Sequence, residues 1–303
     1  MGKVQTIVVV AVAYVALGAF SAYFAYSNED AWGVWLTSGL GLGLLLGRAR
    51  SDWMPVLAGA FFGAMIFEPL VGSSLADALG FALIEVLVTV VGGAVASRLS
   101  PTPLRFVSPL DVGAIIAGAF ALALTGAALV GSWDYFAGRP DAWRTFRVWL
   151  LGNFVAMLLV APFVASWAQF RLKRPGAWTL LSFAGGAVAC VLFLLCLHAL
   201  FSAEPAAPFL QSFAGGLTYL PFVFFVLVAL LWGARGATLA ALIGALIAIT
   251  QTVRGLGPFL GRDGLFDDPV LTAQGYAVVL SITGLLVVTL VERRRVTTAQ
   301  ARA

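Results

Sequence analysis

Charge is what this sequence has least of. Only 11% of its 303 residues are Asp, Glu, Lys or Arg, against roughly 25% in ordinary globular chains. A soluble fold of this length cannot cover its core with so few. Histidine occurs once, at His198, which excludes any multi-histidine metal or di-haem site and reads as an interfacial side chain. The two cysteines, Cys190 and Cys196, share one apolar stretch. Six residues apart on a helix, they point roughly 240° apart, so they read as small buried hydrophobes and not as a disulfide or a metal site. Also missing are a Walker loop, a His-Glu-x-x-His pair, a nucleophile elbow and a His/Cys pair for covalent catalysis. The expectation is no enzyme, no cofactor and no metal. No connection is long enough to hold a soluble domain. One Lys and then an apolar run without an A-x-A site read as an uncleaved first helix, not a signal peptide.

What the chain has instead is apolar length. It is 61% hydrophobic, with a mean hydropathy of +0.99. The clearest stretch runs from Thr218 to Phe259: an apolar run, a turn at Ala234-Arg235, a second apolar run and a Gly-Pro-Phe loop. Water would require such a hairpin to be buried on every side. A bilayer solvates its side chains directly and forces its backbone into helix. The fold class is therefore all-α: a polytopic transmembrane bundle of about 8–10 helices with the lipid bilayer as its partner. Ten apolar segments are legible, at 4–26, 32–47, 53–71, 78–98, 109–131, 148–168, 177–202, 212–233, 236–253 and 271–291. The second is short for a core of roughly 30 Å. Read as a half-span or as part of a re-entrant hairpin, it lowers the count to eight.

The few charges are sorted. One set of connections holds Lys3, Arg48, Arg50, Arg98, Arg105, Arg171, Lys173, Arg174, Arg235, Arg293 to Arg295 and Arg302. The alternate set holds only Arg139, Arg144, Arg147, Arg254 and Arg262, among most of the acids. Thirteen basic residues against five place both termini in the cytoplasm. The formal net charge of +4 is this bias and carries no expectation of nucleic-acid binding.

Glycines at 39, 43 and 47, and at 59 and 63, form small-residue ridges that let helices approach closely in lipid. The run from Gly39 to Gly43 lacks the preceding strand and third glycine of a dinucleotide loop. Leu45-Leu46-Gly47 followed by Arg48 resembles Leu231-Trp232-Gly233 followed by Arg235. That match suggests a duplicated hairpin.

Few residues can carry chemistry. Glu85 lies mid-segment, where an ionisable group is costly and turns toward the bundle interior or a wet cavity. Two readings stand: a ligand contact or proton-sensitive switch, and a hydrogen-bonded carboxyl tying helices together with Thr89. Glu68, before Pro69, reads as interfacial. Asn153 can hydrogen-bond across helices. Two outer connections gather aromatic and basic residues: Trp133, Tyr135, Trp143 and Trp149 with Arg139, Arg144 and Arg147, and Phe259 and Phe266 with Arg254 and Arg262. They read either as an aromatic belt or as a mouth for a small or anionic ligand from outside.

Several stretches in this order resemble one family. They are Trp35 with Gly39 to Arg48, Trp149 to Pro162, Leu220-Pro221 to Arg235-Gly236, Gly255 to Phe259, and Gln274 opening the last segment. Together they resemble the membrane-associated sensor domain of the first MASE class, across nearly the whole chain. Family members usually carry Asp where this chain has Asn153, which removes a charge at that position. The resemblance implies a bacterial inner-membrane input module, spanning 1–292, with a cytoplasmic tail at 293–303. It also implies a cytoplasmic output or partner of diguanylate cyclase, PAS or histidine-kinase type, and so cyclic-di-GMP or two-component signalling. The chain stops about a dozen residues after the last segment, so the expected output is either cut away or supplied by another protein. A second copy, in a homodimer, is the other candidate partner. The ligand-binding residues expected for the sensor are Glu85, Asn153, Trp149, Arg147, Arg144, Arg254, Phe259 and Gln274. A small-solute transporter and a membrane scaffold are the rival readings.

Overall fold

The computed structural model describes residues 2–22, 34–138, 141–168, 180–204, 217–260 and 269–300. Among them are nine α-helices and no strand. They are α1 (Lys3–Ala22), α2 (Leu36–Leu46), α3 (Trp53–Leu70), α4 (Leu75–Leu99), α5 (Pro109–Phe136), α6 (Ala142–Ala168), α7 (Leu180–Phe201), α8 (Leu220–Val253) and α9 (Pro269–Gln300). Eight of these are long and apolar enough to cross a membrane. The exception, α2, has 11 residues and reaches only about 16 Å.

The apolar segments expected at 212–233 and 236–253 are joined in α8, which breaks at Gly233 (φ 66°, ψ −153°). That backbone region is essentially closed to residues with a Cβ. The arms 220–232 and 234–253 fold back beside each other. Phe225 of the first arm lies 5.6 Å from Phe193 of α7, ring to ring. A Cβ on Gly244 of the second arm would meet the same Phe193 ring at 2.7 Å. The ten apolar segments thus resolve into full-length helices and two short ones, α2 and 220–232.

Two compact units divide the chain. Unit 1 comprises Met1–Leu104 and Gly113–Ala168; unit 2 comprises Arg105–Val112 and Gln169–Ala303. In unit 1, the glycine ridge of α2 lies on α6. A Cβ on Gly39 would sit 2.9 Å from the Ala156 carbonyl, and one on Gly43 2.6 Å from the Ala161 carbonyl. The ascending register makes the two helices parallel. α3 lies on α1 in the same way, Gly59 against Val10 and Gly63 against Tyr14. α4 packs on α3 and α2. At the end of α2 the Trp53 indole donates to the Leu45 carbonyl at 3.1 Å, closing the turn into α3.

In unit 2, α8 packs on α7 and α9. The helix order long, short, long, long opens unit 1, as α1, α2, α3 and α4 ahead of α5 and α6, and recurs in unit 2 as α7, 220–232, 234–253 and α9. The matching tripeptides Leu45-Leu46-Gly47 and Leu231-Trp232-Gly233 both end the short helix. Arg48 and Arg235 follow them.

Two expectations shift. Trp143, Arg144 and Arg147, read from sequence as loop residues, lie in the first turns of α6. The last helix does not end at 291 but continues to Gln300.

Candidate functional site

The short helix α2 begins inside the bundle. Ser38, in its first turn, donates from Oγ to Glu85 Oε2 at 3.2 Å. Glu85 lies ten residues into α4, about 15 Å along its axis. The start of α2 is therefore near mid-depth of a full-length helix. Its Leu36 amide is taken up by Ser21 Oγ of α1 at 3.1 Å. The partial positive charge of a helix N-terminus thus meets a carboxyl group in an apolar interior.

Glu85 is 5% exposed. Its second oxygen, Oε1, is buried without a hydrogen-bond partner. Thr89, one turn on, packs its hydroxyl where Gly41 has no side chain; a Cβ on Gly41 would meet Thr89 Oγ1 at 3.1 Å. The buried Thr89 hydroxyl has no partner either. Thr37 of α2 and Trp35 lie within hydrogen-bonding reach of the buried Tyr14 hydroxyl of α1. Glu85, and then Glu68 of α3, lie within electrostatic reach of Tyr14. The Glu68 carboxyl accepts from Ser73 Oγ at 2.7 Å. It is buried, two residues before the end of α3 at Leu70, with Ser73 of the following turn bonded to it.

Apolar groups close this centre. Trp35 packs edge-on against Phe67 at 5.7 Å, within a cluster that includes Tyr14, Ala60, Ala64 and Ala82. Phe81, one turn before Glu85, stacks on Trp149 of α6 at 6.1 Å and 7°. Asn153 follows Trp149 by one turn and donates back to its carbonyl at 2.9 Å. Its Oδ1 is buried without a partner. From the parallel register of α6 and α2, Asn153 falls at the level where α2 starts. Glu85, Asn153 and Trp149 thus lie at similar depth in unit 1, with Trp149 stacked on Phe81 one turn from Glu85.

The other expected residues lie elsewhere. Arg147 sits over the Trp143 ring at 6.0 Å, on the first turns of α6. The Arg144 amide bonds to the Asp141 carbonyl at 2.8 Å. Arg254, Phe259 and Gln274 belong to unit 2. There Phe259 and Tyr276 are 5.9 Å apart. Both lie against Phe201, and Phe222 of the short arm reaches Tyr276 at 5.3 Å. Arg254 ends α8 and Gln274 is buried on α9. Phe266 and Arg262 lie outside the described residues, as do Arg139 and Arg171 to Arg174. The sequence pointed to Glu85 and Asn153 but not to Tyr14, Thr37 or Ser38. Tyr14 and Thr37 are ordinary members of apolar helices until the half-helix brings them together.

Comparison with known proteins returned one finding. The family model described as MASE1 matches residues 4–295. No curated protein and no solved structure matches the chain.

Proposed function

The chain belongs to the MASE1 family, a family of multi-span membrane sensor input domains, and from that premise we propose how it senses. A ligand or partner engages the centre around Glu85, or the outer aromatic and basic residues, and binds one helix arrangement better than another. The difference in affinity moves the equilibrium between them, with a coupling of about 1–3 kcal/mol. α9 carries the change to a cytoplasmic output of cyclase or histidine-kinase type. Both termini lie in the cytoplasm of a bacterial inner membrane in this reading, as the sorting of basic residues supports.

The observation that carries the reading is α9 itself. It is an unbroken helix of 32 residues, about 48 Å long, well beyond the ~20 residues a bilayer needs. It starts beside the aromatic cluster at Tyr276 and runs through Arg293 and Arg294. A rigid rod of that length transmits rotation or translation without loss.

The test is a series of one to four alanines inserted after Thr297, in a chain fused to a diguanylate cyclase. Output is expected to rise and fall with a period near that of a helix. Output that ignores the phase would contradict transmission through α9.

A second reading has one observation in its favour. A short helix that starts within the bundle, as α2 does, with a second short helix in the other half of the chain, is also what small-solute transporters use at their binding sites. Solute flux into proteoliposomes above that of empty vesicles would favour it, and the sensor reading expects none.

A further inference from the structure

Among the described residues, no positively charged side chain lies within electrostatic reach of Glu85. No Lys, Arg or His lies between Lys3 and Arg48, between Arg50 and Arg98, between Arg105 and Arg139, or between Arg147 and Arg171. Every helix of unit 1 is therefore free of basic residues except near its ends. The groups within electrostatic reach of the centre are acidic or neutral: Glu68 from α3 and Tyr14 from α1. An ionised carboxyl in such surroundings is far too costly to stand alone.

The unsatisfied atoms of the centre share one chemistry. Glu85 Oε1 and Thr89 Oγ1, one turn apart on α4, and Asn153 Oδ1 at the level where α2 starts are buried oxygens without a partner. Each such atom costs about 1–3 kcal/mol unless something satisfies it. A proton on Glu85 would satisfy one of them. A hard cation accepts oxygen donors of all three kinds, carboxylate, hydroxyl and amide carbonyl. The positive end of α2, at Ser38, already offsets part of one negative charge. One further positive charge, and not two, completes the balance.

We propose that Glu85, with Thr89 and the neighbouring buried oxygens at the start of α2, forms a binding site for an alkali-metal cation of sodium type, taken up from solution. Occupancy draws the first turn of α2 and the middle of α4 onto one ion. Loss of the ion leaves only the Ser38–Glu85 hydrogen bond between them. This names the ligand class of the centre proposed above for sensing, and it is tested without any output domain.

The experiment uses the purified full chain in detergent. Thermal stability and tryptophan fluorescence are followed as sodium chloride replaces choline chloride at constant ionic strength and pH. The expected result is a saturable rise in Tm with sodium, because a ligand that binds only the folded state stabilises it by mass action. Glu85→Gln removes the sodium dependence. Thr89→Val keeps the packing volume, raises Tm in choline slightly because an unsatisfied buried hydroxyl is removed, and raises the half-saturating sodium concentration several-fold. It carries the test should Glu85→Gln fail to fold. Equal Tm in sodium and choline, or the same sodium dependence in the variants, overturns the site; so does a response to pH alone. Sodium binding to a chain whose fused output ignores sodium would uphold the site and count against the sensing role. A fused output that still responds, with no sodium effect on Tm, would overturn the site and spare the sensor reading.

Discussion

The two short helices make the informative comparison. Both follow a long helix, and both end in a glycine and a nearby arginine. What meets their first turns is opposite in kind. The start of α2 meets Glu85, Thr37, Thr89 and the level of Asn153. Phe222, at the start of the 220–232 arm, meets Tyr276, which packs with Phe201 and Phe259. One is a polar centre short of partners, and the other is an aromatic cluster packed edge to face. One helix order therefore carries two kinds of surroundings: polar in the first copy, and aromatic in the second, where the Phe259 loop packs on Tyr276 of α9.

The sharpest break of this comparison is at the turns. Gly233 is left-handed at φ 66°, while Gly47 is ordinary right-handed backbone at φ −82°. Gly233→Val is expected to cost about 3 kcal/mol or more and to abolish monodisperse material in size-exclusion chromatography. The corresponding Gly47→Ala is expected to fold.

Next in size is the packing of α2. A Cβ on Gly43 would meet both the Ala161 carbonyl at 2.6 Å and Val164 at 2.7 Å. Gly43→Val pushes α2 off α6 and is expected to lower stability by about 1–3 kcal/mol. The thermal midpoint in detergent reads this out. Unit 2 has no equivalent ridge on its short arm, so Leu227→Ala, at an exposed position, is expected to change it little.

A smaller loss comes from Trp149→Leu, which removes the stack on Phe81. The expected cost is about 0.5–1.5 kcal/mol beyond lost area, together with quenching differences in tryptophan fluorescence. The smallest effect has the opposite sign. The Tyr276 hydroxyl is buried without a hydrogen-bond partner. Tyr276→Phe is therefore expected to raise the thermal midpoint slightly, because a buried orphan group is removed. A clear loss would mean that the cluster holds a polar partner.

Much of this was legible in the sequence because lipid imposes it. Long apolar runs, sorted arginines and spaced glycines follow from the solvent, so the segments and the α2 ridge could be read directly. The half-length of 32–47 was also visible as a length deficit. The partner of Glu85 was not. Ser38 meets it only because α2 starts at mid-depth, and nothing in a linear pattern records depth. The same reason hid Tyr14 and Thr37. Arg144 and Arg147 were misplaced in a loop because an aromatic, charged stretch reads as a connection, although α6 begins at Ala142. The extension of α9 to Gln300 was missed because apolar runs mark where lipid ends, not where a helix ends.

The central claim is that the polar centre at α2 takes the input and the aromatic cluster does not. Its most direct test is a chain fused to a diguanylate cyclase and assayed in vesicles with sodium and with choline. The account predicts that Glu85→Gln makes the output indifferent to the exchange, while Tyr276→Phe leaves the response intact. A Glu85→Gln output that follows the parent under both conditions would contradict it.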